Sequence, residues 1–193
     1  MNSWKLPTSL KIGGVDYPIR TDFRDILTIL RAFNDPDLPD WAKTQVMLQI
    51  LYPDHLKIAG PDIKEACEQA VLFIDAGREP EKEDRKRPVL MDWDQDADII
   101  IPAINRVAGT GDVRAMPYLH WWTFLGYYME IGESLFSNIV QIRQKKAKRK
   151  KLEKWEQEFY RENKKLIDIK AKLSEEEEAI RKAEEEALKE LWG

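Results

Sequence analysis

Pro117–Tyr128, PYLHWWTFLGYY, sets two Trp, three Tyr and one Phe within twelve residues, beside one of only two histidines. Apolar surface is worth about 25 cal/mol per Å2 when removed from water, so this segment builds a core or receives a partner. Its spacing predicts a helix from about Met116 to Ile131. On that helix His120, Trp121, Phe124, Leu125 and Tyr128 share one broad face, which Tyr118, Trp122 and Met129 extend around the axis. A surface helix needs only an apolar stripe. This one is therefore expected at the centre of a helical bundle, with Tyr118, Trp122 and Tyr127 forming a protein-binding edge.

Working outward toward the N-terminus, Leu10–Ile12 and Val15–Tyr17 flank Gly13-Gly14, the signature of a two-residue hairpin turn. A lone hairpin is marginal in water and must lean on the helices that follow. A first helix begins at Thr21 or Asp22, with Phe23, Ile26, Leu27, Leu30 and Phe33 on one face and Asp22 and Asp25 in a weak capping box. Phe23, Leu27 and Leu30 join the core. Asn34-Asp-Pro36 ends this helix. A second starts at Pro39 and uses Trp41, Val46, Leu48 and Leu51, and a third runs from near Pro61 to Gly77.

Toward the C-terminus, residues 78–90 are mostly charged and carry two prolines, which marks an exposed loop. After the acidic stretch Asp92–Asp98, a helix is expected from close to Asp94, bent at Pro102. Beyond the aromatic segment, one long charged helix is predicted from Glu133 to about Leu191. Leu152, Phe159, Leu166, Leu173, Ile180 and Ala187 recur in it every seven residues. The companion positions, among them Trp155 and Ile169, are apolar only in part, so any coiled coil is weak. Trp155, Phe159 and Leu166 are its candidate contact residues, and self-association is a further use of the same stripe.

The fold class is thus all-α: a helical bundle (21–150) with an N-terminal hairpin (1–20) and an extended helical tail (151–193). The chain has 193 residues, 43% apolar and 34% charged, with a net charge of −4. One cysteine, Cys67, gives no intramolecular disulfide and suits a reducing compartment. No secretory signal or membrane span is read, and a cytoplasmic protein is expected.

Catalytic and metal chemistry finds little footing. An EF-hand loop over the acidic run would need Gly and Glu where Ala97 and Ala103 stand. Those carboxylates instead suit a helix N-terminus, or a basic segment of a partner. His55, His120 and Cys67 lack zinc spacing, and nothing marks a Cys–His nucleophilic pair. No enzyme activity and no cofactor are expected. The basic cluster Arg143, Lys145, Lys146, Lys148, Arg149, Lys150 and Lys151 would attract nucleic acid through phosphate contacts. The Glu-rich tract beyond it repels phosphate, so a solvated helix is the preferred reading.

Three features in order resemble the bacteriophage Gp15 protein family of tailed phages and prophages of Gram-positive bacteria. They are Asp22-Phe23-Arg24 continuing to Ala32-Phe33, the acidic, isoleucine-rich Asp96–Ile104, and Leu119-His120-Trp121-Trp122 with Phe124. The His-Trp-Trp triplet followed by Phe is the distinctive one. The resemblance covers about residues 15–150. Members are usually encoded just before the tape-measure protein, which implies a tail assembly chaperone. Such a protein would bind the tape-measure protein, with the tail tube protein as a further partner, in the host cytoplasm and be absent from the mature virion. A minor structural tail protein and a nucleic-acid-binding accessory protein are the alternatives.

Overall fold

The computed structural model describes residues 5–78, 88–170, 177, 179 and 180. It is a helical bundle with one two-stranded sheet, as the sequence predicts. Strands β1 (Ser9–Ile12) and β2 (Val15–Pro18) pair antiparallel, with Leu10 opposite Tyr17 and Ile12 opposite Val15. Gly13 and Gly14 both adopt positive φ, +56° and +83°, which the two-residue turn requires. Gly13 is needed twice over: a Cβ there would lie 2.7 Å from the Asp62 carboxylate. Leu10 and Ile12 point inward and are buried, so the hairpin is a lid on the bundle.

Helices α1 (Phe23–Phe33), α2 (Asp40–Leu51) and α3 (Ile63–Ile74) follow. Their order and approximate bounds match the sequence reading, but several faces do not. In α1 the buried stripe is Phe23, Ile26 and Ile29. Leu27 and Leu30 only pack against the core edge, and Phe33 lies largely exposed at the helix end. Asp22 caps α1 by accepting from the Arg24 N–H at 3.0 Å, and Asp25 plays no reciprocal part. In α2 the buried pair is Met47 and Leu51, one turn apart, while Trp41 is 73% exposed. The apolar contact assigned to Trp41 is therefore absent: it stands in the first turn, off the Met47–Leu51 stripe.

Helix α4 (Ala97–Ala108) begins three residues later than predicted and contains Pro102. Helix α5 spans Trp121–Met129, much shorter than Met116–Ile131. Met116–Leu119 stay outside the helix, held against the start of α1: the Arg24 guanidinium donates to Met116 O and Pro117 O, and backbone bonds follow. The Phe23 N–H donates to Leu119 O at 3.0 Å, and the Trp121 N–H to Thr21 O at 2.7 Å. Two helix starts are thus stitched side by side. Trp121, Phe124 and His120 are buried as expected, whereas Leu125 and Tyr128 are half-buried against the same core.

The continuous helix from Glu133 onward does not form. Helix α6 (Leu135–Ala147) stops, and α7 (Lys154–Glu162) and the single turn α8 (Lys164–Ile167) fold back. Arg149 takes the left-handed conformation at φ +53°, and the Lys150 N–H reaches Lys145 O at 2.8 Å, which closes α6 with a Schellman-type cap. The predicted heptad positions Leu152, Phe159 and Leu166 turn toward a second small core of Ile139, Ile142 and Ile167. Leu173 and Ala187 lie outside the described residues, as does most of the predicted loop 78–90. Ile180 is exposed.

Candidate functional site

His120-Trp121-Trp122 is a junction between helices. His120 is the N-cap of α5, its Nδ1 accepting from the Trp122 N–H at 3.0 Å. An accepting Nδ1 is unprotonated, so Nε2 carries the hydrogen and donates it to Pro7 O at 3.0 Å. Both indoles then donate to the C-terminal end of α3, Trp121 to Ile74 O and Trp122 to Phe73 O, each at 2.8 Å. Carbonyls at a helix C-terminus lack intrahelical partners. The triplet therefore caps the start of one helix and the end of another. Trp122, assigned to a binding edge, is committed to this junction and stacks on Phe73 at 6.0 Å between centroids. Tyr118 is more than half exposed and shares a 2.7 Å hydrogen bond with Thr21. Tyr127 is half-buried against the main core.

The neutral imidazole has a consequence for pH. Burial lowers the His120 pKa, and the Pro7 hydrogen bond offsets only part of that. The folded value lies below the unfolded one, near 6.5. The associated stability is present above about pH 6.5 and is lost as the pH falls through that value toward the folded pKa. Protonating Nδ1 also removes the cap acceptor. We expect the urea midpoint to fall between pH 7 and pH 5, and to fall less in His120→Asn, which keeps a capping oxygen but does not titrate. Equal slopes in the two proteins would show that His120 is not the titrating group.

Beside this junction an apolar cleft of about 310 Å3 opens between α1 and α4. Phe23, Leu27, Trp93, Ile100, Ile101 and Phe124 form its apolar lining. The rings interlock: Phe23 stacks on Phe124 with centroids 4.5 Å apart, and Trp93 lies 5.9 Å from Phe124 and 5.1 Å from Tyr128. Arg24, Arg31, Arg114 and Asp94 complete the lining. Arg31 pairs with Asp94 at 2.9 Å, and hydrogen bonds from Arg114 hold the Asp112 carboxyl down at about 2. The cleft combines an aromatic floor with a charged rim. Sequence reasoning missed it because Trp93 sits in an acidic run and shows no helical period.

The basic cluster is largely spent inside the molecule. Arg143 is buried and uses all five of its N–H donors. Two go to Asp96 Oδ1 and Oδ2 at 2.8 and 2.6 Å, and three to the carbonyls of Leu90, Leu166 and Ile167. Asp96 occupies the N-cap position of α4 without capping it. Its carboxylate serves Arg143 instead, so the basic segment met by the acidic run belongs to this same chain. Lys145 bonds Glu156 at 2.6 Å, and Lys146 pairs with Asp168 while lying 3.7 Å from the Tyr160 ring centroid. Lys148, Arg149, Lys150 and Lys151 remain exposed. Of the tail contacts, Phe159 and Leu166 are half-buried in the second core, and Trp155 is 46% exposed.

Among the described residues no group of three or more His, Cys, Asp or Glu is placed to hold a metal ion. His120 has both ring nitrogens committed. Burial pushes the Cys67 thiol pKa up, with Glu68 adding to it, the reverse of what a nucleophilic thiolate needs. No described helix is long and apolar enough to cross a membrane. A protein-family model described as Bacteriophage Gp15 protein matches residues 3–169. No curated protein and no solved structure matches the chain.

Proposed function

The chain belongs to the bacteriophage Gp15 protein family, and from that premise we propose that it is a tail assembly chaperone that binds the tape-measure protein. Membership carries the reading, since members usually precede the tape-measure gene. The aromatic cleft supports it. A tape measure is a very long helical protein whose apolar stripe needs covering before the tail tube encloses it. A groove with an apolar floor and a charged rim suits such a helix, taking the apolar side chains inside and leaving polar ones outside. The role requires no catalysis and no cofactor. It places the protein in the host cytoplasm during assembly and leaves it out of the finished particle.

The nucleic-acid reading loses ground because Arg143, Lys145 and Lys146 spend their charge on Asp96, Glu156 and Asp168. Only four of the seven basic residues remain exposed to meet phosphate. Deleting the gene from a phage or inducible prophage is expected to abolish tails while DNA-filled heads accumulate. Affinity purification from infected cells should recover the tape-measure protein, and mass spectrometry of washed virions should find the chaperone absent or nearly so. Normal tails in the deletion, or stoichiometric protein in virions, would overturn the proposal.

A further inference from the structure

We propose that the cleft between α1 and α4 selects for acidic helices: its occupant carries apolar anchors flanked by carboxylates about two turns apart, and Arg31 and Arg114 set that choice. This rests on the cleft being the helix-docking groove of the proposed function, and it names the chemistry of the helix that fits there.

The aromatic floor sets the anchors, and its size gives the rim its influence. At about 310 Å3 the cleft stands at the small end of ligand pockets, which run from about 300 to 1,000 Å3. It holds a few side chains and not a whole helix, so the flanks of a docked helix lie along the rim. Three arginines stand there against one carboxylate, Asp94. Arg24 is largely spent, since it donates to Asp22 and to the carbonyls of Met116 and Pro117. The other two are not. A guanidinium carries five N–H donors, and Arg143 shows what full use looks like. Among the described residues Arg31 pairs only with Asp94, and the Arg114 side chain sends Nε and Nη2 to Asp112 alone. Their side chains are 62% and 60% exposed, so each has donors left for a second carboxylate without breaking its present pair. Arg31 lies in the last turn of α1. Arg114 lies two residues before Met116, whose carbonyl is bound by Arg24 in the first turn. Arg24 and Arg31 are seven residues apart, about 10 Å of helix rise. The two underused cations therefore stand toward opposite ends of α1, and carboxylates two turns apart on a partner helix match them. A Lys-flanked helix would meet guanidinium groups and find Asp94 already paired, which disfavours it.

The test selects on the full chain from a displayed library of amphipathic helical peptides. Their apolar stripe is fixed as Leu and Phe, and the flanking positions are drawn from Glu, Gln and Lys. Selection should enrich Glu at the flanks. A Glu-flanked peptide should bind about tenfold tighter than its Lys-flanked counterpart, the sum of two exposed ion pairs gained or opposed, and should shift the methyl resonances of Leu27, Ile100 and Ile101. Arg31→Glu with Arg114→Glu should turn the selection toward Lys, an inversion that a misfolded protein cannot produce. Arg31→Gln with Arg114→Gln, a milder change at the same exposed positions, should leave the flanks unselected. Absence of binding, enrichment blind to charge, or a Glu preference that survives the charge reversal would overturn the proposal. So would the same methyl shifts on concentrating the protein alone, which would make the occupant a second copy. No phage protein enters this experiment, so its failure leaves the chaperone reading standing. Normal tails in the deletion phage would remove that reading and leave the peptide preference intact.

Discussion

Asp96→Ala should destabilise the protein by about 3–5 kcal/mol, the usual cost of leaving one member of a buried ion pair alone. The pair is almost fully enclosed, with side-chain exposures of 5% for Arg143 and 0% for Asp96. Arg143→Met should cost at least as much, because a second loss is added to the first. It strands the Asp96 carboxylate and also strips donors from the carbonyls of Leu90, Leu166 and Ile167. The Ile167 carbonyl is the buried one of the three, and leaving such a group unsatisfied costs about 1–3 kcal/mol. The two mechanisms separate in the double variant. Were the ion pair alone at stake, Asp96→Ala with Arg143→Met would approach wild type, as apolar replacements of buried pairs often do. Because the carbonyls remain stranded, the double variant should stay clearly destabilised in chemical denaturation. Hydrogen exchange should report the same event locally. The amides of residues 164–170 are expected to exchange about 100- to 1000-fold faster in Arg143→Met. Full recovery in the double variant, or unchanged exchange over 164–170, would reduce Arg143 to one half of a simple pair.

That clasp explains why the sequence misleads beyond residue 147. Between Arg143 and Lys170 there is no Gly and no Pro, and a period-seven row of Leu152, Phe159 and Leu166 invites a continuous helix. The break falls at Arg149, a residue with no intrinsic preference for positive φ. It is sustained by pairings across the fold: Lys145 with Glu156, Lys146 with Asp168, and Arg143 with Asp96 at 47 residues' separation. Complementary charges that far apart leave no local pattern in one sequence. The row of seven does describe a real apolar face, but its partner is Ile139 and Ile142 of the same chain. Where punctuation is local the reading succeeds. Gly13-Gly14 marks the hairpin, and Gly77 and Gly109, both at positive φ, follow the ends of α3 and α4.

The aromatic segment shows a subtler division. Composition alone places Trp121 and Phe124 in the core, because no other arrangement hides that much ring surface. The start of α5 is invisible to composition, since it depends on Thr21 and Leu119 exchanging backbone bonds with Trp121 and Phe23. His120 looks like a core imidazole by its neighbours and proves to be a cap by its geometry. The cleft could not be read at all: Phe23, Trp93, Ile100 and Phe124 come from four separate segments, and only their meeting makes a groove.

Trp121→Ala should cost about 3–5 kcal/mol, comparable to the clasp but through another mechanism. Trp121 is 2% exposed, stacks on Phe124 at 5.8 Å and meets Trp93 at 6.3 Å. Truncation opens a cavity between α5 and the 88–96 segment and strips the indole donor from Ile74 O. Trp121→Phe separates the two losses. It retains most of the ring volume but cannot donate, so about 1–3 kcal/mol should remain as the cost of an unpaired carbonyl. Trp122→Phe is expected to cost less, because Phe73 O also accepts from the Ala76 N–H at 3.0 Å. The predicted order of denaturation midpoints is therefore wild type, Trp122→Phe, Trp121→Phe, Trp121→Ala. The cleft shares Trp93 and Phe124 with the Trp121 site, so, on the proposed function, Trp121→Ala should also weaken binding to the tape-measure protein where Trp122→Phe does not. A midpoint unchanged in Trp121→Ala would move that ring to the surface and remove the physical basis for the cleft floor.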